Sequence, residues 1–286
     1  MHKLFLAAAI FFIAIGVGVA GSVSGTTIGG WPLLLVLVLS AFVIQWLMFI
    51  HSWAISSEKY FDLTGSLTYI GLTTVAILFT EVRSLRSFIL CAMVVIWALR
   101  LGSYLFLRIR KAGKDDRFTE ILSDPARLFL VWSVQGLWIT FTALAAWIGI
   151  TTTNSASFAV IGIVGVIVWI LGFAIEALAD YQKAQFRKDP ANSGRFIHSG
   201  LWSRSRHPNY FGEILIWSAV LITVSPVLHS WQWIAILSPA FVAFLLIKVS
   251  GIPMLEKKAE IRWGDDPEYQ NYKNNTPVLI PKITAR

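Results

Sequence analysis

The most polar stretch of this apolar chain is residues 200–213, GLWSRSRHPNYFGE. Its His207-Pro208-Asn209 segment predicts a turn that leads into an apolar helix. Arginine, histidine, asparagine and tyrosine side chains at a helix N-terminus form a site suited to phosphate and other anions. We therefore expect an anionic ligand to bind here, through Arg204, Arg206, His207, Asn209 and Tyr210, with Glu213 one turn after Asn209 on the same helix face.

Three other places carry ionisable or hydrogen-bonding groups inside or beside apolar blocks. A charge within a membrane span costs at least ~2.5 kcal/mol and usually marks function. Glu176 and Asp180 lie one helical turn apart, with Arg187 about two turns further on. Asp62 precedes another block, where helix capping is the structural alternative. A third block carries a stripe with helical spacing formed by Trp97, Arg100, Tyr104 and Arg108.

Composition indicates the elements that must position these groups. Of the 286 residues, 56% are hydrophobic and 14% are charged, against about 25% charged in soluble domains. The apolar residues form blocks long enough to cross a ~30 Å hydrocarbon layer. The sequence therefore predicts an all-α, polytopic integral membrane helical bundle with seven or eight transmembrane helices. The blocks cover about 4–21, 32–55, 63–80, 86–107, 128–150, 156–180, 210–224 and 229–250.

The net charge of +8 is explained by membrane topology rather than by a nucleic-acid partner. Residues 108–127, 181–209 and 248–286 hold 19 of the 24 Lys and Arg residues. Because cytoplasmic loops are rich in these residues, both termini are expected in the cytoplasm. Arg83 and Arg86, on a predicted outer turn, are the exception. No obligate protein partner is implied, and membrane lipids are the expected surroundings.

The first block permits two interpretations. It has the basic start, apolar run and small residues of a signal peptide, but we expect it to remain as an uncleaved anchor. Its Gly16, Gly18 and Gly21 match a dinucleotide fingerprint that lacks the required strand and acidic residue, so close helix packing is the better interpretation. We expect one membrane domain over 1–286, with substrate-side spans in 1–150 and a cofactor-binding part in 151–286.

Metal and thiol chemistry find little support in the sequence. The single cysteine, Cys91, lies within an apolar block, which excludes an intrachain disulfide and a cluster of thiolate ligands. A small buried hydrophobic side chain is the structural interpretation of this residue. We predict no metal site.

Residues 172–213 resemble the C-terminal signature of membrane steroid 5-alpha-reductases and their bacterial relatives. The shared features are a helix ending in Asp-Tyr, an Arg-Lys pair, a Gly-Leu-aromatic turn and an Asn-aromatic-apolar-Gly-Glu helix start; residues 272–281 resemble the family's ending. The resemblance implies a helical membrane fold that holds NADPH near the cytoplasm. Together with the anion-site residues, it assigns the cofactor pocket to Glu176, Asp180, Arg187, Arg204, Arg206, His207, Asn209, Tyr210, Glu213 and Lys257.

On the substrate side, the resemblance implies an acid and a tyrosine. Asp62 occupies the position of the family's glutamate, and Trp97 occupies that of its tyrosine. Tryptophan has no acidic hydroxyl to donate, so the proton donor is left open. Tyr104, on the same helix, or Tyr60 or Tyr69 could take its place. The catalytic candidates are Asp62, Trp97 and Tyr104.

A second family shares part of the motif. Residues 206–212, RHPNYFG, also resemble isoprenylcysteine carboxyl methyltransferases and phospholipid methyltransferases, which bind S-adenosylmethionine. The paired glutamates of those enzymes would correspond to Glu256 and Glu260. The segment that precedes the loop and the additional spans favour the reductase. A non-catalytic scaffold or transporter, the third alternative, lacks the inverted repeat that would support it.

The sequence thus leads to the expectation of an NADPH-dependent oxidoreductase that reduces a carbon–carbon double bond in a lipid-like, steroid-like enone. The substrate would enter from the bilayer. The expected location is the bacterial inner membrane, with the cofactor site on its cytoplasmic side. The alternative is a membrane methyltransferase that uses S-adenosylmethionine.

Overall fold

The computed structural model describes residues 2–112 and 120–282; within 107–112 it describes the backbone only. A short antiparallel hairpin, β1 (Thr27–Ile28) and β2 (Trp31–Pro32), accompanies the helices. The α-helices of the described part are α1 (His2–Gly21), α2 (Leu33–Ala54), α3 (Phe61–Phe79), α4 (Leu85–Ala112), α5 (Pro125–Thr151), α6 (Val160–Lys188), α7 (Pro208–Val224), α8 (Leu237–Phe244), α9 (Ile252–Trp263) and α10 (Pro267–Asn275).

The polytopic membrane bundle predicted from the blocks is confirmed. Eight helical segments within the described ranges are long and apolar enough to cross a membrane. The seventh reaches crossing length because a 3-10 turn continues α7 to Val227. The eighth differs from prediction, because helix resumes after residue 250 as α9. A π-helical turn at Leu245–Val249, followed by Gly251, lies between α8 and α9. The π-helical turn interrupts the regular α-helix, and the helix continues beyond it.

The chain forms two compact units. Unit 1 comprises Met1–Ile163 and Val220–Ser238, and unit 2 comprises Val164–Ala219 and Pro239–Arg286. Unit 1 contains α1 to α5, and α5 packs against the other four helices. That central position explains why nearly every residue of the second half of α5 is buried.

The glycines of α1 serve helix packing, as the sequence predicted. A Cβ atom at Gly18 would lie 3.2 Å from Val38 Cγ2 of α2, and one at Gly21 would lie 2.8 Å from Leu34 Cδ2. Gly16 has open space instead. Two of the three glycines of the fingerprint pattern therefore allow α1 and α2 to approach closely.

Buried polar groups connect the helices of unit 1. Gln45 Nε2 donates to Thr68 Oγ1 at 3.0 Å, and Trp147 Nε1 donates to Thr73 Oγ1 at 2.9 Å. Arg86 is buried and donates to the carbonyls of Thr223, Ala156 and Ser157 at 2.8–3.0 Å. Arg86 lies on a predicted outer turn, where basic residues are otherwise rare. Its position has a structural reason, because the guanidinium donates hydrogen bonds to three carbonyl groups.

Candidate functional site

The end of α6 carries the first polar surface of unit 2. Glu176, Asp180, Lys183 and Arg187 follow at steps of four, three and four residues, so they share one helix face. Glu176 and Asp180 are buried. Lys183 and Arg187 lie further towards the C-terminal end, where basic side chains are favoured by the helix dipole. The face therefore changes from acidic to basic along the helix.

Two glycines bring α6 and α7 into direct contact. A Cβ atom at Gly212 would lie 2.6 Å from the Gly172 carbonyl oxygen and 2.7 Å from the backbone nitrogen of Glu176. Because neither position has a side chain, the two backbones touch, as at other membrane helix interfaces built on small residues. Asn209, about one turn before Gly212, donates through Nδ2 to Asp180 Oδ1 at 3.3 Å.

The segment before α7 is held by α6. Gly200 has a φ of 62°, in the left-handed region that favours glycine. The backbone nitrogen of Leu201 donates to Gln182 Oε1 at 2.9 Å, and Trp202 Nε1 donates to the Ala179 carbonyl at 3.0 Å. Lys183 Nζ lies 4.3 Å from the centre of the Trp202 ring. These contacts fix the start of the polar segment.

The C-terminal tail holds the other end of the same segment. The backbone nitrogen of Arg206 donates to the Pro277 carbonyl at 2.9 Å. Ser205, which is fully buried, donates through Oγ to the Leu279 carbonyl at 2.8 Å and accepts from the His207 backbone nitrogen at 3.1 Å. The tail is therefore part of the structure that positions Arg206 and His207.

Arg206, His207 and Glu256 form a three-residue cluster, here called the Glu256 junction. Arg206 Nη1 donates to Glu256 Oε2 at 2.5 Å, and His207 Nε2 lies 2.8 Å from Glu256 Oε1. Only 11% of the Arg206 side chain, 6% of His207 and 24% of Glu256 is exposed. Burial is the largest influence on the His207 imidazole and lowers its pKa, against the opposing effect of Glu256. The imidazole is therefore neutral near pH 7.

A cavity of about 280 Å³ lies beside this junction and is called the basic cavity below. Glu256 is the single carboxylate among the described residues that line it. The cations of its wall are Lys183, Arg187, Arg195, Arg206, Lys258 and Arg262, and its aromatic residues are Phe186, Phe196, Trp202, Trp263, Tyr269 and Tyr272.

An aromatic cluster supports the cavity wall. Phe196 packs against Trp263, Tyr269 and Tyr272 with ring centres 5.2–5.9 Å apart. Tyr272 donates to the Trp202 carbonyl at 2.7 Å, and burial raises the pKa of its hydroxyl well above the ordinary value. This hydroxyl therefore stays protonated. Flat rings beside cations suit the base and phosphates of a nucleotide.

The predicted cofactor residues fall into three groups. Arg187, Arg206 and His207 line the basic cavity. Asn209 and Asp180 bond to each other, and Glu176 lies buried at the α6–α7 contact. The remaining predicted residues lie outside the described lining: Tyr210, which stacks on His207 with ring centres 5.6 Å apart, partly buried Glu213, and exposed Arg204 and Lys257.

Several cavity residues were missed by the sequence analysis. Lys258 lines the cavity, whereas the resemblance had assigned the neighbouring residue Lys257 to the cofactor pocket. Lys258 and Arg262 are four residues apart, so helical spacing in α9 could have identified both as one face. No local pattern links Arg195 or Tyr269 to the other lining residues.

The predicted catalytic residues lie in unit 1. Asp62 is in the first turn of α3 rather than at its N-cap, which is Tyr60. Trp97 of α4 is buried, with its ring edge-on to Tyr69 at 5.2 Å between centres. Tyr104, two turns further along α4, is partly buried. The structure thus places one of the alternative proton donors, Tyr69, against Trp97.

The comparisons with known proteins place this chain in a family. Residues 48–276 match a family described as protein of unknown function (DUF1295). The chain belongs to this family. No curated protein and no solved structure gives a significant match to the chain. The matched range includes Asp62 as well as the polar stretch, the Glu256 junction and the basic cavity.

Proposed function

We propose that this protein is an NADPH-dependent membrane reductase that acts on a carbon–carbon double bond of a lipid-like enone. The observation that carries the proposal is the charge of the basic cavity, where six cations and one carboxylate line the described wall. The pyrophosphate and the ribose phosphate of NADPH carry several negative charges. Such groups are bound best by clustered Arg and Lys side chains that are partly removed from water.

The residues present fit a nucleotide of this type. The single lining carboxylate, Glu256, is already bonded to Arg206 and to His207, so it does not repel an anion strongly. A volume of about 280 Å³ lies at the small end of ligand pockets. We expect the cavity to hold one phosphorylated half of the dinucleotide. Arg187, Arg195, Lys258 and Arg262 would bind its phosphates.

The methyltransferase alternative is less well supported by the same geometry. S-adenosylmethionine carries a sulfonium and an ammonium group, which the aromatic residues of the wall could bind but which the neighbouring cations would repel. The two glutamates that could serve it are occupied, because Glu256 bonds Arg206 while Glu260 bonds Lys273 at 2.6 Å. A wall of six cations disfavours a positively charged ligand.

The chemistry of the proposed reaction divides between cofactor and protein. The bound nicotinamide would supply a hydride to the β-carbon of the enone. Asp62 in its protonated form, directly or through Tyr69 or Tyr104, would donate a hydrogen bond to the substrate carbonyl and stabilise the enolate-like charge. A proton from the aqueous phase would be transferred to the α-carbon to complete the reduction. Asp180 and Asn209, bonded to each other, would position the start of α7.

The proposed location is a bacterial inner membrane with the basic cavity facing the cytoplasm. A water-soluble cofactor must reach the cavity from an aqueous phase, and the predicted cytoplasmic segments carry most of the basic residues. The substrate would enter from the bilayer, because exposed apolar side chains cover the helices of unit 1.

Ligand-dependent melting of the detergent-purified protein tests the proposal. NADPH, NADH and S-adenosylmethionine are added separately; a ligand at 100 times its Kd adds about 2.7 kcal/mol to the unfolding free energy. We expect the largest rise in Tm with NADPH. A rise with S-adenosylmethionine alone, or no rise with any of the three, would overturn the proposal.

The substrate side needs a separate experiment. With a steroid enone and a polyprenyl enone as probes, we expect Asp62→Asn to abolish NADPH oxidation in reconstituted vesicles. Asp62→Glu should retain it, since the longer acid keeps the donor. Undiminished turnover by Asp62→Asn would remove this acid from the mechanism.

A further inference from the structure

The Glu256 junction determines which nitrogen of His207 carries the proton. Glu256 accepts a hydrogen bond from Arg206 Nη1 at 2.5 Å, and a carboxylate paired with a guanidinium can only accept hydrogen bonds. Because Glu256 Oε1 lies 2.8 Å from His207 Nε2, that nitrogen must be the N–H donor. In the neutral imidazole the proton is then absent from Nδ1, which becomes a lone-pair acceptor.

This acceptor is buried and has no hydrogen-bond partner among the residues that the structure describes. Arg206 Nε, a donor in the same segment, is in the same condition. An unsatisfied buried polar group destabilises the folded state, so most buried polar groups in native proteins have a partner. Both residues belong to the wall of the basic cavity. A ligand in the cavity is therefore the natural partner for these atoms.

The groups that face His207 keep its imidazole neutral. Lys183 from α6 and Arg206 from its own segment both disfavour a second positive charge, and Glu256 from α9 opposes them. The Tyr210 ring of α7 stacks on the imidazole with an interplanar angle of 7°. Burial has the largest effect and favours the uncharged ring. A lone pair at this place repels phosphate oxygens and attracts an N–H or O–H group.

We propose that His207 Nδ1 is a recognition site for an uncharged N–H or O–H donor of the bound nucleotide, distinct from the cations that bind its phosphates. This assignment rests on the proposed function. The chemistry fits the amino group of an adenine or a primary carboxamide. Because Nδ1 is buried, contact with a ligand in the cavity requires the flanking side chains to move. The cavity would thus bind a neutral polar group of the ligand at the Glu256 junction and the anionic groups of the ligand elsewhere on its wall.

Nitrogen-15 NMR of the full chain in detergent tests the assignment. The protein has five histidines, so His207→Gln identifies the His207 signals by difference. At pH 7 we expect a protonated Nε2 and an unprotonated Nδ1. NADPH should shift the Nδ1 signal, whereas inorganic pyrophosphate should leave it in place. A protonated Nδ1 in the ligand-free protein, or an unchanged Nδ1 signal with NADPH bound, would overturn the assignment.

A tautomer exchange provides the second test. In Glu256→Gln the amide can donate to His207 Nε2, which moves the imidazole proton to Nδ1 and replaces the acceptor by a donor. We expect NADPH affinity to fall about tenfold while pyrophosphate affinity does not fall. Glu268→Gln, which removes an exposed carboxylate from α10, is the matched control and should change neither. An equal loss for both ligands in Glu256→Gln would show a structural role instead.

Two analogues identify the donor. Deamino-NADPH lacks the adenine amino group, and the 3-acetylpyridine analogue lacks the carboxamide nitrogen. One of them should bind the wild-type protein about tenfold more weakly than NADPH and lose this difference in Glu256→Gln. Full affinity for both would overturn the amino-group assignment. The absence of any NADPH-dependent rise in Tm would instead overturn the proposed function, whereas a rise in Tm without a change at Nδ1 would overturn this assignment alone.

Discussion

The two compact units bury polar groups of different kinds. Unit 1 buries mainly neutral side chains, such as the Gln45–Thr68 and Trp147–Thr73 pairs, which bond to each other between helices. Among its described residues, Glu58 and Arg86 are the buried charged ones. The smaller set buried in unit 2 includes the ionisable residues Glu176, Asp180 and His207. Neutral pairs stabilise helix packing at little desolvation cost, whereas buried ionisable groups need a further reason to persist. Unit 2 also holds the basic cavity, and the proposed ligand would supply that reason.

The largest effect on stability should come from Arg86, a buried charged residue of unit 1. Arg86→Ala leaves three carbonyl groups without their donor, and we expect the unfolding free energy to fall by about 3 kcal/mol or more. Arg83→Ala, at an exposed arginine of the same turn, should lower it by about 1 kcal/mol at most. Melting in detergent measures both. Equal shifts in Tm would contradict the structural role given to Arg86.

A second comparison uses glycines of the two units. Gly212→Ala places a methyl group 2.6 Å from a backbone oxygen, so we expect a loss of about 1–3 kcal/mol in unfolding free energy. Gly16→Ala meets open space and should be neutral or stabilising by up to about 1 kcal/mol, because alanine favours helix. Tm values give the comparison. A tolerated Gly212→Ala would mean that α6 and α7 can separate without loss.

Ligand binding should depend on the residues of unit 2 that line the basic cavity and not on their neighbours outside it. Arg187 and Lys188 are both exposed, but Arg187 lines the basic cavity whereas Lys188 lies outside its described wall. We expect Arg187→Gln to weaken NADPH binding about tenfold through the loss of a charged hydrogen bond, and Lys188→Gln to leave it unchanged. Isothermal titration in detergent measures both constants. Similar losses in the two variants would indicate a general charge effect rather than a defined site.

The smallest effect concerns pH. Because burial holds the pKa of His207 below its ordinary value, the unfolded chain binds a proton more readily than the folded protein. The contribution of the neutral imidazole to stability is present above the ordinary histidine pKa and is lost as pH falls towards the lowered value. Tm should therefore fall more steeply below about pH 6.5 in the wild type than in His207→Gln. Parallel curves would contradict the burial effect.

Much of the fold could be predicted because membrane spans are encoded locally. Runs of apolar residues gave α1 to α5 to within a few residues of their bounds at most ends, since a span must be apolar along its own length. The polar stretch before α7 was likewise visible as a local excess of hydrogen-bonding residues. The extension of the last span by α9 was missed, because a polar helix beyond a π-helical turn resembles a loop in composition.

The partners within the candidate site could not be predicted. Glu256 was considered only for the methyltransferase alternative, and nothing in its surroundings indicates a bond to His207, 49 residues away. The tail resembled a family ending, but its contact with Ser205 spans 74 residues. Lys257 and Lys258 are neighbours that point to different sides of α9. The sequence could not show which of them faces the basic cavity, and the structure shows that it is Lys258.

The sequence by itself determined the class of molecule, the approximate place of most spans and the stretch where charged and hydrogen-bonding side chains are concentrated, because each depends on the solvent preference of neighbouring residues. Only the tertiary structure decided which cations share a wall, which carboxylate is neutralised and which histidine nitrogen is left as an acceptor. Those properties depend on distances of a few ångströms between residues far apart in the chain, and such distances cannot be predicted from hydropathy or from residue spacing.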